Sequence, residues 1–397
     1  MDKKIKVLVV PSDRFGVGLY RSVSPHVKLQ EIYGDDFDVE IDYEPDWAHP
    51  EKLEKYDIVH FHKGLVKDMN VLWSALEYLQ EHNVVTIMDI DDNWDVGPQH
   101  PLYLSNKANK SPEKIKKNMS IVDYVTTTTD IFAKKIKPFN KNVLVFPNSI
   151  DPTEEQYQPI KNPSDRIRFG FVMGSSHEKD MELVDGVFKS LPAEYLDKIQ
   201  IVLCGYDLRG TINMVDKEGH FLGSRQIQPM ESVWYKYEKN VTGNYSLVSP
   251  EYRDFLFKFI KNAQWPNVEN EPYRREWTKE VTEFAKHYRN VDVLLAPLAE
   301  NSFNEVKSEL KFIEAGFTHT AVIASNYGPY TIGSVNLFEK GGEINENGNC
   351  ILVESRRAHK DWAKAIKKLV DNPDLITILQ NNMYETVKDK YDIRNNR

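Results

Sequence analysis

The stretch VDVLLAPLAENSFNEVKSELKFIEAGFTHTAVIASNYGPY, residues 291–330, decides the fold. It opens with an apolar run (Val291 to Pro297) that suits a buried strand and then crosses a polar loop. Helical periodicity runs from about Asn304 to Phe317, and a second apolar strand follows at Ala321 to Ala324. Strand, helix and strand in this order make the unit of a parallel sheet. With Ser302 or Asn304 as cap, Val306, Leu310, Ile313 and Phe317 share a packing face, and Lys307, Lys311 and Glu314 form a stripe beside it.

Two explanations fit that stripe. One is a solvated helix flank with an i,i+3 Lys–Glu pair. The other starts from the lysines in the first half of a helix, which oppose its positive N-terminal end by roughly 0.3–1 kcal/mol unless a bound phosphate reverses the sign. Glu314 is then placed to accept hydrogen bonds from hydroxyls attached to that phosphate. A nucleoside diphosphate carries both parts.

Outward from this stretch, 397 residues fit two domains of ordinary size. Two cysteines, Cys204 and Cys350, give neither a disulfide framework nor a zinc spacing. No apolar run approaches the ~20 residues of a membrane span, and the N-terminal residues read as strand and loop rather than signal peptide. A cytoplasmic protein is expected, with no transmembrane segment; peripheral membrane association is compatible with this. A net charge of −9 argues against general nucleic-acid binding.

Ile5 to Val10 alternates too little for a half-exposed strand and suits a central parallel one. The loop behind it carries Arg14, Gly16 and Gly18, either a tight turn or a close approach of backbone amides to an anion. An amphipathic segment to Tyr33 and strands at Phe37 to Tyr43 and Tyr56 to Phe61 follow. His60 and His62 share a strand face, without an evident third metal ligand. After a helix at Met69 to Glu81, the strand Val84 to Ile90 runs into Asp89, Asp91 and Asp92. These acids are either a capped strand exit or carboxylates that act on a hydroxyl. Ser111 to Met119 (helix), Tyr124 to Thr129 (strand), a helix from Asp130 to Lys137 and Val143 to Pro147 (strand) complete the first half, and a Pro, Glu, Gln and Asn stretch to Ser164 reads as a linker.

The second half repeats the entry. A strand at Ile167 to Val172 leads into a small-residue loop with Gly174, His177 and Lys179, then a helix to about Leu191 capped by Ser176. A phosphate could rest in its first turn. After Ile199 to Tyr206 about 85 residues precede Val291, where a plain strand–helix unit needs ~30. That insert is rich in aromatics and is expected to add helices packed by them. A hairpin or strand within Glu343 to Val353 and helices at Ala358 to Val370 and Pro373 to Tyr391 end the chain.

The run Pro297-Leu298, Phe303-Asn304, Lys307-Ser308, Leu310-Lys311-Phe312, Glu314-Ala315-Gly316, Ala324-Ser325 and Gly328-Pro329-Tyr330 resembles the donor-site segment of the group 1 (family 4) glycosyltransferases of GT-B fold. Asp57-Ile-Val-His60-Phe-His62, Pro147-Asn148-Ser149-Ile150-Asp151, and Gly174 with His177 and Asp180 are similar to further motifs of that family. The resemblance implies an α/β chain of two doubly wound, Rossmann-like domains with a cleft between them. These would be residues 1–150 on the acceptor side, 151–376 for the donor with an insert at about 208–285, and a C-terminal helix, 377–397, crossing back. It implies that Glu314 holds the donor ribose and that Arg14, Gly16, Gly18, Gly174, His177, Lys179, Lys307, Ser308 and Lys311 bind the nucleoside diphosphate sugar. Arg21 and His26 would lie near the acceptor, Asp91 and Asp92 would act on the acceptor hydroxyl, and neither metal nor other cofactor is implied.

Two departures stand out. The family commonly has a further glutamate where Val306 stands, with Glu305 adjacent, and a histidine where Met88-Asp89 stands. The expected activity is sugar transfer, with retention, to a glycan, lipid-linked or other hydroxyl acceptor. Alternatives are a nucleotide-sugar epimerase, a non-catalytic nucleotide-sugar-binding protein, or a glycosyltransferase acting on modified viral DNA.

Overall fold

The computed structural model describes residues 3–98, 100, 102–216, 221–339, 341–354 and 358–395. Two compact units emerge. The first takes Met1–Asp151, Asn301–Leu310 and Lys390–Arg397; the second takes Pro152–Glu300 and Lys311–Asp389. The last helix ends at Val387, so a short terminal stretch, rather than a helix from residue 377, joins the first unit.

The first unit alternates strands and helices. They are β1 (Ile5–Val10), α1 (Ser24–Tyr33), β2 (Phe37–Ile41), β3 (Ile58–His62), α2 (Met69–Glu81), β4 (Val85–Ile90), α3 (Tyr103–Ala108), α4 (Ser111–Ile121), β5 (Tyr124–Thr127), α5 (Asp130–Ile136) and β6 (Val143–Val145). All six strands run parallel in the order β2-β1-β3-β4-β5-β6. The expected cap of α5 shifts by one residue, because the Thr129 hydroxyl, not Asp130, accepts from the Phe132 amide at 3.2 Å. One sheet face carries Leu8, Val10, Val59, Phe61, Met88, Ile90 and Val125 against Leu72, Leu76 and Leu79 of α2, Ile115 and Met119 of α4 and Phe132 of α5. The opposite face carries Val7, Ile58, His60, Ile87, Tyr124 and Thr126, and α1, which packs on β2, has no fully buried residue.

The second unit holds β7 (Ile167–Val172), α6 (Glu178–Glu182), α7 (Ala193–Leu196), β8 (Ile199–Tyr206), β9 (Thr211–Val215), β10 (Phe221–Gln226), α8 (Val233–Val241), α9 (Pro250–Leu256), β11 (Tyr273–Trp277), β12 (Val293–Ala296), α10 (Leu310–Phe317), β13 (Ala321–Ser325), β14 (Ile351–Val353), α11 (Ala358–Asp371) and α12 (Asp374–Val387). Its parallel sheet has the order β11-β8-β7-β12-β13-β14, and every residue of β8 is buried, as a strand covered on both faces requires. The insert is more than added helices. It contributes β11 to the edge of the main sheet and a separate β9–β10 hairpin. Its aromatics do pack, as expected: Trp234, Tyr237, Tyr245 and Tyr252 belong to the unit's core, with Trp265 and Trp277 against it. In place of a long helix, the segment after β7 makes a short α6 that begins after His177 rather than Ser176, then turns. Within 343–353 the strand alternative holds: Ile351–Val353 is regular strand and pairs in parallel with β13.

The decisive stretch departs from expectation in one respect. A 3-10 turn at Asn304–Val306 ends with Lys307 at φ −58°, ψ 172°, and α10 starts afresh at Leu310. Lys307 is therefore outside the helix, and no continuous Lys307–Lys311–Glu314 stripe exists. Val306 has turned inward to the core of the first unit at 1% exposure, where a glutamate would be a buried charge.

Among the described residues, no helix is long and apolar enough to cross a membrane. Inside α10, Gly316 faces α12 so closely that an added Cβ would lie 2.4 Å from the Val387 Cγ2 and 3.1 Å from the Met383 carbonyl oxygen. Alanine is intrinsically better in a helix by about 1 kcal/mol. Gly316→Ala should nonetheless destabilise the protein by roughly 1–3 kcal/mol through overpacking, measurable as a lowered midpoint of thermal or denaturant unfolding.

Candidate active site

In the first unit the candidate residues gather around buried charges at the strand ends. Arg21, just before α1, is 2% exposed and forks onto Asp89 of β4, its Nη2 2.6 Å and its Nε 3.0 Å from the two carboxylate oxygens. Its Nη1 also donates to the Phe146 carbonyl at 2.6 Å and to Asn148 Oδ1 at 3.1 Å. Burial pushes the Asp89 carboxyl up, but Arg21 outweighs burial and leaves it below the usual carboxylate range. Asn148 in turn donates to the Ser308 hydroxyl at 2.8 Å. Ser308 is thus tied into the scaffold of the first unit.

Asp91 takes a hydrogen bond from His62 Nε2 at 2.9 Å and an ion pair from Lys63 Nζ at 2.8 Å. Burial alone would raise its pKa; Lys63 and His62 reverse that and hold it well below the ordinary value. Such a carboxylate is a weak base and a strong hydrogen-bond acceptor. Lys63 itself sits at φ 53° with Gly64 at φ 63° behind it, a left-handed pair of the kind found where a chain is bent to aim a side chain. Asp92 is half-buried beside it.

The loop after β1 behaves differently from an open anion cradle. Asp13 Oδ1 accepts the amides of Phe15 at 2.8 Å and Gly18 at 3.1 Å. An added Cβ on Gly18 would lie 1.9 Å from the Asp13 carbonyl oxygen. Gly18 is therefore required for a tight turn, and its amide, expected to meet a diphosphate, is already engaged. Gly16 has open space around it, and the exposed Arg14 lies over the Tyr43 ring at 3.9 Å. Lys307 Nζ sits 5.2 Å from the Phe303 ring centroid.

In the second unit Glu314, one turn into α10, is 2% exposed. Its Oε2 accepts from Tyr288 Oη at 2.9 Å and from Lys311 Nζ at 3.2 Å. Tyr330 stacks on Phe312 at 5.1 Å, and its phenol is pushed up by burial and by the carboxylates of Asp180 and Glu314. Tyr330 thus lies within electrostatic reach of both Asp180 and Glu314. In the loop after β7 His177 Nδ1 meets Asp180 Oδ2 at 2.7 Å, and the other Asp180 oxygen accepts the Ala299 amide at 2.8 Å. Tyr237 Oη accepts the His177 amide at 2.9 Å and donates to the Ser175 carbonyl at 2.9 Å. His177 positions the loop. Gly174 has no atom near its missing side chain, and the partly exposed Lys179 is 2.6 Å from Glu182.

Among the described residues one group, Cys204, Glu276 and His287, has possible metal-ligand atoms within 4.8 Å of one another. Burial, then the Glu276 carboxylate, pushes the Cys204 thiol up, and His287 Nδ1 is 2.8 Å from Glu276 Oε2.

Lys63 and Tyr288 were not singled out by sequence reasoning. Lys63 follows the His60–His62 motif directly, so its place was visible although its partner was not. Tyr288 lies in the 3-10 segment Val281–Asn290 that leads into β12.

No family model and no curated protein sequence matches the chain. Among solved structures it has the GT-B fold of several glycosyltransferases. HepE from Anabaena, determined with UDP and glucose, aligns over 99% of this chain and 97% of its own at TM-score 0.60 and 11% identity. Sucrose-phosphate synthase from Thermosynechococcus elongatus aligns over 99% and 96% at TM-score 0.61 and 13% identity. A glycosyltransferase from Rickettsia africae aligns over 99% and 95% at TM-score 0.57 and 13% identity.

The Arg21–Asp89 fork gives a test with a definite sign. Arg21→Met should cost about 3–5 kcal/mol near neutral pH, because it leaves Asp89 charged and unpaired in the interior. In the native protein the lowered Asp89 pKa contributes stability above the unfolded pKa that is lost as pH falls through the folded one. In the variant Asp89 titrates higher and protonates sooner. The deficit should therefore shrink toward acid pH, as read from denaturant unfolding at a series of pH values.

Proposed function

We propose that the chain is a glycosyltransferase that moves a sugar from a nucleoside diphosphate sugar to an acceptor hydroxyl, with retention, in glycan or polysaccharide synthesis. The observation that carries it is the buried Glu314 on α10, held by Tyr288 with Lys311 beside it. In this site Lys311 leaves Glu314 Oε2 for the donor diphosphate, and the carboxylate, still held by Tyr288, accepts from the ribose hydroxyls. Lys179 and the open backbone at Gly174 add neutralising charge and amides, so the leaving diphosphate is stabilised without a metal. Uridine is the favoured base on the likeness to HepE, which was determined with UDP and with UDP-glucose. On the acceptor side Asp91, fixed by Lys63 and His62, orients the hydroxyl, with Asp92 beside it as the less constrained base. The buried thiols of Cys204 and Cys350 suit a cytoplasmic setting.

A second reading, nucleotide-sugar binding without transfer, is favoured by Val306, which is core where the resembling family commonly has glutamate. Incubation with a panel of sugar nucleotides, with binding, slow hydrolysis and product identity read separately, distinguishes the two.

Glu314→Ala should weaken nucleotide binding by about 1.5–3 kcal/mol, while circular dichroism shows the protein still folded. Unchanged affinity would remove Glu314 from the ribose. Lys307→Ala should slow transfer and leave the affinity for free nucleoside as it was. If transfer by that variant matches the wild type, Lys307 has no part in the chemistry.

A further inference from the structure

The first unit contains a cleft of about 570 Å³ between α1 and the sheet face that α2, α4 and α5 do not cover. Val7, Leu29, Ile58, Ile87 and Phe146 line it, and Ile32 on its wall is 45% exposed. The volume is within the range of small-molecule sites, and a parallel sheet face left open in this way is otherwise unusual.

One polar atom in it is unsatisfied. His60 is 6% exposed and lines the cleft, and its Nδ1 has no hydrogen-bond partner. Its protonation follows from its neighbours. The single proton of the Thr126 hydroxyl goes to Asp89 Oδ1 at 2.7 Å. Toward His60 Nε2, 3.4 Å away, that hydroxyl oxygen can only accept, so Nε2 carries the ring proton. Burial and the neighbouring His26, its ring centroid 4.7 Å away, push the His60 pKa down to about 3, so the ring is neutral. Nδ1 is then a lone pair and nothing else.

We infer that this cleft binds a small, largely apolar alcohol whose hydroxyl donates to His60 Nδ1. The largely apolar wall, with Lys28, Asp36 and Arg394 also lining it, favours an aliphatic or ring body, and the unpartnered Nδ1 selects a donor over an ether or ketone of the same shape. The inference does not rest on sugar transfer, and its test needs no donor.

Binding of 1-octanol and of methyl octyl ether to the full chain can be compared by calorimetry. The alcohol should bind about three- to tenfold more tightly, as one neutral hydrogen bond allows. His60→Phe should abolish that preference while both still bind, and Ile87→Trp, which fills the cleft, should abolish binding of both. In the wild-type protein the ¹⁵N shift of His60 Nδ1 should move with octanol and not with the ether, a readout that holds even where a variant fails to fold. Equal affinities, no binding of either compound, or binding that survives Ile87→Trp would overturn the inference. So would sedimentation showing a dimer that covers this face and that octanol does not displace.

Discussion

The first unit depends on one ion pair taken entirely out of water. Arg21 and Asp89 have side chains 1% exposed each, and an isolated charge at that depth is prohibitive. The fork therefore fixes the segment before α1 against β4, and its spare donors reach Phe146 and Asn148 beyond β6. Through Asn148 it locates Ser308, and through Asp89 it sets the proton of Thr126 and hence the tautomer of His60. Positions distant in sequence are so placed by one guanidinium.

The second unit uses the same device. Arg168 of β7 forks onto Asp292 just before β12 at 3.0 and 2.8 Å, and Arg275 of β11 onto the fully buried Glu238 of α8, which also accepts from Tyr245 and Tyr273. In each case the planar donor set of arginine matches a carboxylate and leaves a donor over, which reaches a backbone carbonyl from Arg21 and Arg275 and the Asn290 side-chain oxygen from Arg168. The Arg168 pair ties β7 to the neighbouring β12, and the Arg275 pair ties the edge strand β11 to α8 of the insert.

Strands such as Ile167–Val172 and Ile199–Tyr206 were legible to the residue, because a run buried on both faces needs no partner information to be recognised. The 3-10 turn and the restart of α10 were not. Asn304 to Phe317 keeps a helical spacing of apolar residues, yet Val306 belongs to the core of one unit and Ile313 and Phe317 are buried with the other. Periodicity reports that positions are buried, not which body buries them. The fork partners of Arg21 were illegible for a different reason, since a charge says nothing of the sequence distance to its counter-ion. Gly18 misled through an ambiguity of glycine itself: the same residue serves an anion cradle and a turn too tight for a Cβ, and here Asp13 decides for the turn.

Why so many recognisable residues crowd into 297–330 then has a physical answer. From Asn301 to Leu310 the chain answers to the first unit: Asn93 and Lys135 hold the Ser302 carbonyl, Asn148 holds Ser308, and Tyr391 donates to Glu309 at 2.8 Å. From Lys311 onward it answers to the second, where Tyr288 fixes Glu314 and α12 excludes a side chain at Gly316. Both cores thus draw side chains from one continuous segment. Lys307 stands outside the helix at the end of the 3-10 turn, and Lys311, in the first turn of α10, pairs with Glu314 at 3.2 Å.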